Sequence, residues 1–252
     1  MTKRHAAFIF LVSAVLGAGQ TAAQKKARPL NPVARNERGS GMTQILGRPT
    51  DRSITINVLA SRQIEFFVEY GESPGQYTAK TAPKTSKAGQ PVEIEIHGLK
   101  PDQRYTYRLR SREPNAADFL EGSEYSFHTQ RPPGSTFTFA LQGDSHPERY
   151  GKMYDPDLYG ITMNNVSKDQ PDFYVTLGDD FSLDRLVNRH TLTQANVNRA
   201  YVHQRAFLGI VGRPSPLFLV NGNHEPAARP SLAHPATHPP VPARTPPTPL
   251  HS

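Results

Sequence analysis

Thr136-Phe-Thr-Phe-Ala-Leu-Gln142 is an alternating, largely apolar run that stops on Gly143-Asp144-Ser145-His146. The same grammar returns twice: Asp172-Phe-Tyr-Val-Thr-Leu177 stops on Gly178-Asp179-Asp180, and Pro216-Leu-Phe-Leu-Val220 stops on Asn221-Gly222-Asn223-His224-Glu225. Short apolar runs bounded by Gly and polar residues are strand signals. Between them, Tyr159 to Val166 has helical spacing through Ile161, Met163 and Val166, and Thr193 to Val211 has it through Val197, Tyr201, Phe207, Leu208 and Val211. Strand, helix, strand, helix, strand with apolar strands predicts a parallel sheet with right-handed crossovers. All three polar clusters then share the carboxyl edge of that sheet, where loops converge and ligands bind.

Asp144, His146, Asp179, Asn223 and His224 would bring carboxylate, imidazole and amide oxygen together there, a donor set for Mn, Fe, Zn or Co. A carboxylate such as Asp179 can face two cations about 3.5–4 Å apart and reduce their mutual repulsion. Asn223 adds a neutral oxygen that completes a site without cancelling its charge. His224 is not needed as a ligand, and is read as the group that contacts phosphoryl oxygens or protonates a leaving oxygen. Gly143, Gly178 and Gly222 are expected to let the backbone turn sharply beside the metals.

The ordered set Gly-Asp-Ser-His, Gly-Asp-Asp, Gly-Asn-His-Glu resembles the calcineurin-like metallophosphoesterases over roughly Phe137 to Glu225. The resemblance implies two divalent metal ions and hydrolysis of phosphate esters by a hydroxide bridging them. It places Asp144 and His146 on the first metal, Asp179 between the two, Asn223 on the second and His224 as the catalytic histidine. Asp180 is expected to be a supporting or solvated acid rather than a ligand. Purple acid phosphatases carry a metal-bound tyrosine three residues after the bridging aspartate, where this chain has Ser182, so no purple site is expected. The family's later Gly-His and Gly-His-x-His pairs do not occur in these 252 residues. Weak metal binding and impaired turnover are therefore expected, and the alternative reading is a catalytically inactive exported binding module.

Upstream the period changes to two. Ile54, Ile56 and Val58 alternate with Thr55, Asn57 and Leu59; Ile64, Phe66, Val68 and Tyr70 follow; Val92, Ile94 and Ile96 alternate with Glu93, Glu95 and His97. Leu99, Pro101 and Tyr105 suggest a tyrosine corner, whose phenol bonds back to the backbone across the turn. Short strands at this spacing, closed by Arg131-Pro132-Pro133-Gly134, predict a β-sandwich. It resembles the fibronectin type III-like domain found before the catalytic domain of purple acid phosphatases. Of the pair Phe66-Phe67, one ring is expected outside, against the next domain.

The fold class expected is thus an all-β, fibronectin III-like sandwich followed by an incomplete α/β metallophosphoesterase domain. Residues 1–23 read as a signal peptide, from Lys3-Arg4, the apolar Ala6 to Leu16 and the small residues Thr21 and Ala23, so a secreted or periplasmic location is expected. Residues 24–41 read as a basic linker, 42–131 as the sandwich, 135–225 as the amino-terminal half of the α/β domain, and 226–252 as a Pro-rich disordered tail. That tail holds nine prolines and the histidines His234, His238 and His251, and its abrupt composition suggests a truncated reading frame. Residues 1–52 carry nine basic and two acidic side chains, which leaves 20 and 20 of the total 29 and 22. The net charge of +7 thus belongs to the leader and linker, and nucleic acid is set aside as a partner. With no cysteine and no long apolar run after the leader, thiolate chemistry and a membrane span are excluded from the reading.

Overall fold

The computed structural model describes residues 41–225 apart from 147, 148, 150, 151, 153 and 181. The expected signal peptide, the linker as far as residue 40, and the tail with its three histidines lie outside the described residues. Nine strands come first: β1 Met42–Gly47, β2 Ser53–Ala60, β3 Ile64–Gly71, β4 Ala79–Lys80, β5 Lys84–Ser86, β6 Val92–His97, β7 Arg104–Arg112, β8 Leu120–Glu121 and β9 Tyr125–His128. One antiparallel sheet runs β1-β2-β6; the other runs β4-β3-β7-β8, with β5 also on β3 and β9 also on β7.

Period two explains the register. Ile54 faces Ile96 and Ile56 faces Ile94 across β2 and β6, so both strands turn the same dry face inward. That face meets Phe66, Val68, Tyr107, Leu109 and Phe127 from the second sheet in one buried cluster. The corner after β6 closes as expected: the Lys100 N–H donates to the Tyr105 phenol oxygen at 2.9 Å. Phe67 differs from expectation. It packs edge-on to Phe119 at 4.9 Å, with the Lys80 ammonium over its ring, so its partners belong to the sandwich itself.

The second unit is built from β10 Phe139–Gln142, α1 Pro156–Asp169, β11 Phe173–Thr176, the short α2 Asp184–Asn188, α3 Gln194–Gly212 and β12 Leu217–Leu219. The strands are parallel, in the order β10-β11-β12. Helix starts follow capping chemistry: the Asp155 side chain accepts the Asp157 and Leu158 N–H groups with Pro156 next in line, and Thr193 accepts the Asn196 N–H. Both long helices pack on one face of the sheet, where Tyr159, Met163, Phe207 and Val211 meet Tyr174 and Leu217.

β1 shows no alternation in sequence because it is dry on both sides. Met42 and Leu46 enter the sandwich core, while Ile45 enters the core under α3. Gly212 makes the approach possible, since a Cβ there would come within 3.1 Å of both Ile45 and Leu217. On the same helix the Arg205 guanidinium donates to Thr43 Oγ1 and to the Asn57 carbonyl, both at 2.8 Å. Burial lowers its pKa from 12.5 to about 10. Tyr107 donates to the Arg213 carbonyl, Arg213 reaches the Tyr125 hydroxyl, and Arg131 bonds Asp172 at the start of β11. Arg205→Met, which keeps the apolar stem and removes the donors, is expected to cost about 1–3 kcal/mol in urea unfolding. Arg205→Lys should recover only part, because one ammonium cannot copy the planar fork.

Candidate metal centre

The polar clusters sit on backbone that most residues avoid. Asp144 (φ 55°), His146 (φ 42°) and Asp179 (φ 56°) are left-handed and Gly178 has φ 97°. Such geometry costs energy at non-glycine positions and persists only when surrounding bonds over-determine it. Here they do. The Asp144 N–H donates to the Gly178 carbonyl at 3.1 Å, His146 N–H to the Asp179 carbonyl at 3.2 Å, and His224 N–H to the Asp179 carboxylate at 3.0 Å. The loops behind β10, β11 and β12 are thereby bonded to one another through Asp179 and its neighbour.

Two of the three glycines are required by contact. A Cβ on Gly178 would overlap the Gly222 backbone, and one on Gly222 would overlap the Asp179 carboxylate and amide. Gly143 is different: its φ is not left-handed, and a Cβ would meet only the Leu177 Cβ, at an ordinary 3.5 Å. The expectation that all three glycines serve sharp turns holds in backbone conformation for Gly178 alone, Gly222 being required by its contact with Asp179 instead.

His146 and Asp179 are buried, and with the half-buried His224 they offer ligand atoms within 4.8 Å of one another. One coordination shell at about 2.1 Å places its donors some 3.4 Å apart, so an approach of at most about 1.4 Å would close the set. Asp144 adjoins it, with a carboxylate oxygen 3.4 Å from His146 Nε2 on a side chain that is 77% exposed. Asn223 stands on the same loop as His224 and is exposed. The two imidazoles meet edge to face at 5.1 Å.

Two residues given no role in the sequence prove central to this geometry. Asp184, at the start of α2, holds His224 Nδ1 at 2.5 Å through its carboxylate. That assigns the proton on Nδ1 and leaves Nε2 for the site. Glu225 is 5% exposed and spends both oxygens on backbone, accepting the Asp180 N–H at 2.7 Å and the Gly222 N–H at 2.8 Å. Its presence in Gly-Asn-His-Glu was the only signal of that clamp, and an acid five residues after Asp179 the only signal of the other.

Of the two expectations for Asp180, a supporting or a solvated acid, its burial removes the second. Burial first, and then the charges of Glu225, Asp179 and Asp144, push its carboxyl up to about 7 against an opposing Thr176 contact. Beneath it lies a polar layer. Ser145 donates to the Asp180 carbonyl, Gln204 of α3 donates to both Ser145 Oγ and the Tyr159 hydroxyl, and Tyr174 donates to Gln142. Gln204 and Arg205 are consecutive, so one turn of α3 holds the metal loop on one side and the sandwich on the other.

No protein-family model matches the chain, and no curated protein matches it. Among solved structures it is similar to PhoD, with a TM-score of 0.55 and 16% identity over 81% of this chain and 40% of PhoD. At that identity the likeness speaks to the fold alone, and the chain spans well under half of PhoD's length. A fibronectin type III domain of human collagen XX aligns at 17% identity over 42% of this chain and all of that domain, and the sensor domain of the anti-sigma factor RsgI4 of Pseudobacteroides cellulosolvens aligns at 15% over 37% and 96%. Both have a TM-score of 0.29 and carry no argument.

Gly222→Ala is expected to disturb the site more than Gly143→Ala, and a Mn²⁺ titration of both variants by calorimetry should show at least a tenfold weakening for the first only. Because the folded pKa of Asp180 lies above its unfolded value of 3.8, ionising it opposes folding. Its contribution in the metal-free chain is most favourable below pH 3.8 and is lost as pH rises through about 7. Urea midpoints taken from pH 5 to 8 should fall along this interval, and Asp180→Asn should flatten the slope.

Proposed function

We propose that the chain is an exported, metal-dependent phosphoesterase of the calcineurin-like kind, acting on phosphate esters. One observation carries the reading: the His146, Asp179 and His224 group gathers from three separate strand-end loops at the carboxyl edge of a parallel sheet. The likeness in fold to PhoD is in keeping with it. The amino-terminal charge and apolar pattern supports export.

Asp144, His146 and Asp179 would hold one divalent ion, and Asp179 with Asn223 a second, of Mn, Fe or Zn. Ions held there lower the pKa of a water and neutralise phosphate oxygens. The remaining work falls to the chain's own side chains. His224, its Nδ1 proton committed to Asp184, presents Nε2 to the phosphoryl group or the leaving oxygen. The Asp184 carboxylate fixes the orientation of that ring, so that Nε2 faces the phosphate side of the loop cluster. Glu225 keeps the loops of Asp179 and His224 at fixed separation through two backbone amides.

Titration with Mn²⁺ or Zn²⁺ and hydrolysis of chromogenic phosphate mono- and diesters test this together. Asp179→Ala should weaken metal binding at least tenfold and abolish turnover. His224→Ala should weaken binding less than Asp179→Ala, yet lower kcat about 10²–10⁴-fold. Asp184→Ala, which frees the His224 ring, should lower kcat while leaving metal affinity within a few-fold of the unaltered chain. Failure of the unaltered chain to bind either metal would overturn the proposal. Tight binding without hydrolysis would favour the inactive exported module.

A further inference from the structure

We infer that Gln204 is a positioning residue of the metal centre, an inference that rests on the metal-centre reading: acting through Ser145, it holds the loops of His146 and Asp179 together from the helix side. A break in a pattern points to it. Along α3 the side chains of Val197, Tyr201, Gln204, Leu208 and Val211 form one stripe, spaced four and three residues apart, and the other four pack in apolar clusters. Gln204 is 1% exposed. A polar amide buried in such a stripe costs stability unless its hydrogen bonds are replaced, so its worth lies in the bonds it makes there.

Those bonds have a fixed polarity. The Gln204 side-chain amide donates to Ser145 Oγ at 3.1 Å and to the Tyr159 hydroxyl of α1 at 3.0 Å. Ser145 Oγ in turn donates to the Asp180 carbonyl at 3.0 Å. A carbonyl only accepts, so the single hydroxyl proton of Ser145 is spent on Asp180 and its oxygen is left to receive an N–H. Glutamine supplies that N–H without adding charge to a volume where Asp179, Asp180 and Glu225 are already buried. A carboxylate at 204 would present lone pairs to lone pairs.

Ser145 stands between Asp144 and His146, both left-handed. Three consecutive residues of the β10 loop thus bond three consecutive carbonyls of the β11 loop: the Asp144 N–H to Gly178, the Ser145 hydroxyl to Asp180 and the His146 N–H to Asp179. Of these donors only the hydroxyl turns on a side-chain torsion, and the Gln204 amide fixes that torsion. Its second bond, to Tyr159, refers the loop to α1 as well as α3, the two helices that carry the core. Without the amide the hydroxyl is free to swing from Asp180, and the left-handed backbone on either side loses one of the bonds that over-determine it.

Residue-resolved hydrogen exchange of the metal-free chain and Mn²⁺ titration by calorimetry test this. Gln204→Met keeps the volume and removes the donor. It should speed exchange of the Asp144 and His146 amides about tenfold while those of β2 and β6 keep their rates. Mn²⁺ binding should weaken about tenfold. Ser145→Ala should match both effects, Ser145→Thr should largely escape them by keeping the hydroxyl, and Gln204→Met with Ser145→Ala should cost no more than either alone. Val211→Ala, on the same helix, controls for lost stability: it should lower the urea midpoint and leave both loop readouts unchanged. Unchanged exchange in Gln204→Met, an equal effect in Val211→Ala, or additive losses in the double variant would each overturn the inference. An unaltered chain that takes up no Mn²⁺ would overturn the metal-centre reading instead, and the exchange rates would still decide whether Gln204 holds the loops.

Discussion

Helix α3 has to satisfy two neighbours at once, and that constraint governs the arrangement of the chain. Its second half is buried almost all round, against β1 of the sandwich on one side and against β11 and β12 on the other. Gly212 sets how closely β1 can approach, and Arg205 sets direction, because a planar guanidinium bonded to Thr43 and Asn57 tolerates little rotation. Burying that cation with no carboxylate partner among the described residues is costly, which argues that the docking is specific rather than incidental. The sandwich therefore acts as a fixed abutment for the helix that supports the metal loop.

The same logic of over-determination holds at the sheet edge. Left-handed residues at 144, 146 and 179 would relax if any of the cross-loop bonds to Gly178, Asp179 or His224 were lost. Acidic groups crowd this volume, with Asp179, Asp180 and Glu225 all buried beside Asp144. Glu225 gains two amide donors for its charge, whereas Asp180, despite contacts with Thr176 and the Gln142 amide, has its carboxyl pushed up to about 7. A concentration of negative charge on strained backbone is an expensive arrangement for a purely structural loop, and it suits a cation.

Much of this was legible beforehand. Alternation at Ile54, Ile56, Ile94 and Ile96 gave away both the strands and their dry face, since a side-chain period of two leaves no other way to bury them. Helical spacing from Tyr159 and from Thr193 located the two long helices to within three residues of their starts. β1 escaped notice because a strand buried on both sides loses its alternation, and α2 because five residues are too few for a helical period to show. Whether Asp180 was a supporting or a solvated acid stayed open in the sequence, since an acid beside Asp179 looks the same there whether water or protein surrounds it.

Periodicity and turn residues are local properties, so the long elements in their order, the parallel and antiparallel halves and the polar clusters behind three strands could be read along the chain. Only the tertiary structure decided that Asp184 holds His224, that Glu225 joins two loops and that Arg205 ties the halves together. Those partners lie 40, 45 and about 150 residues apart along the chain, and no local pattern encodes a distance that depends on how two separately folded layers meet.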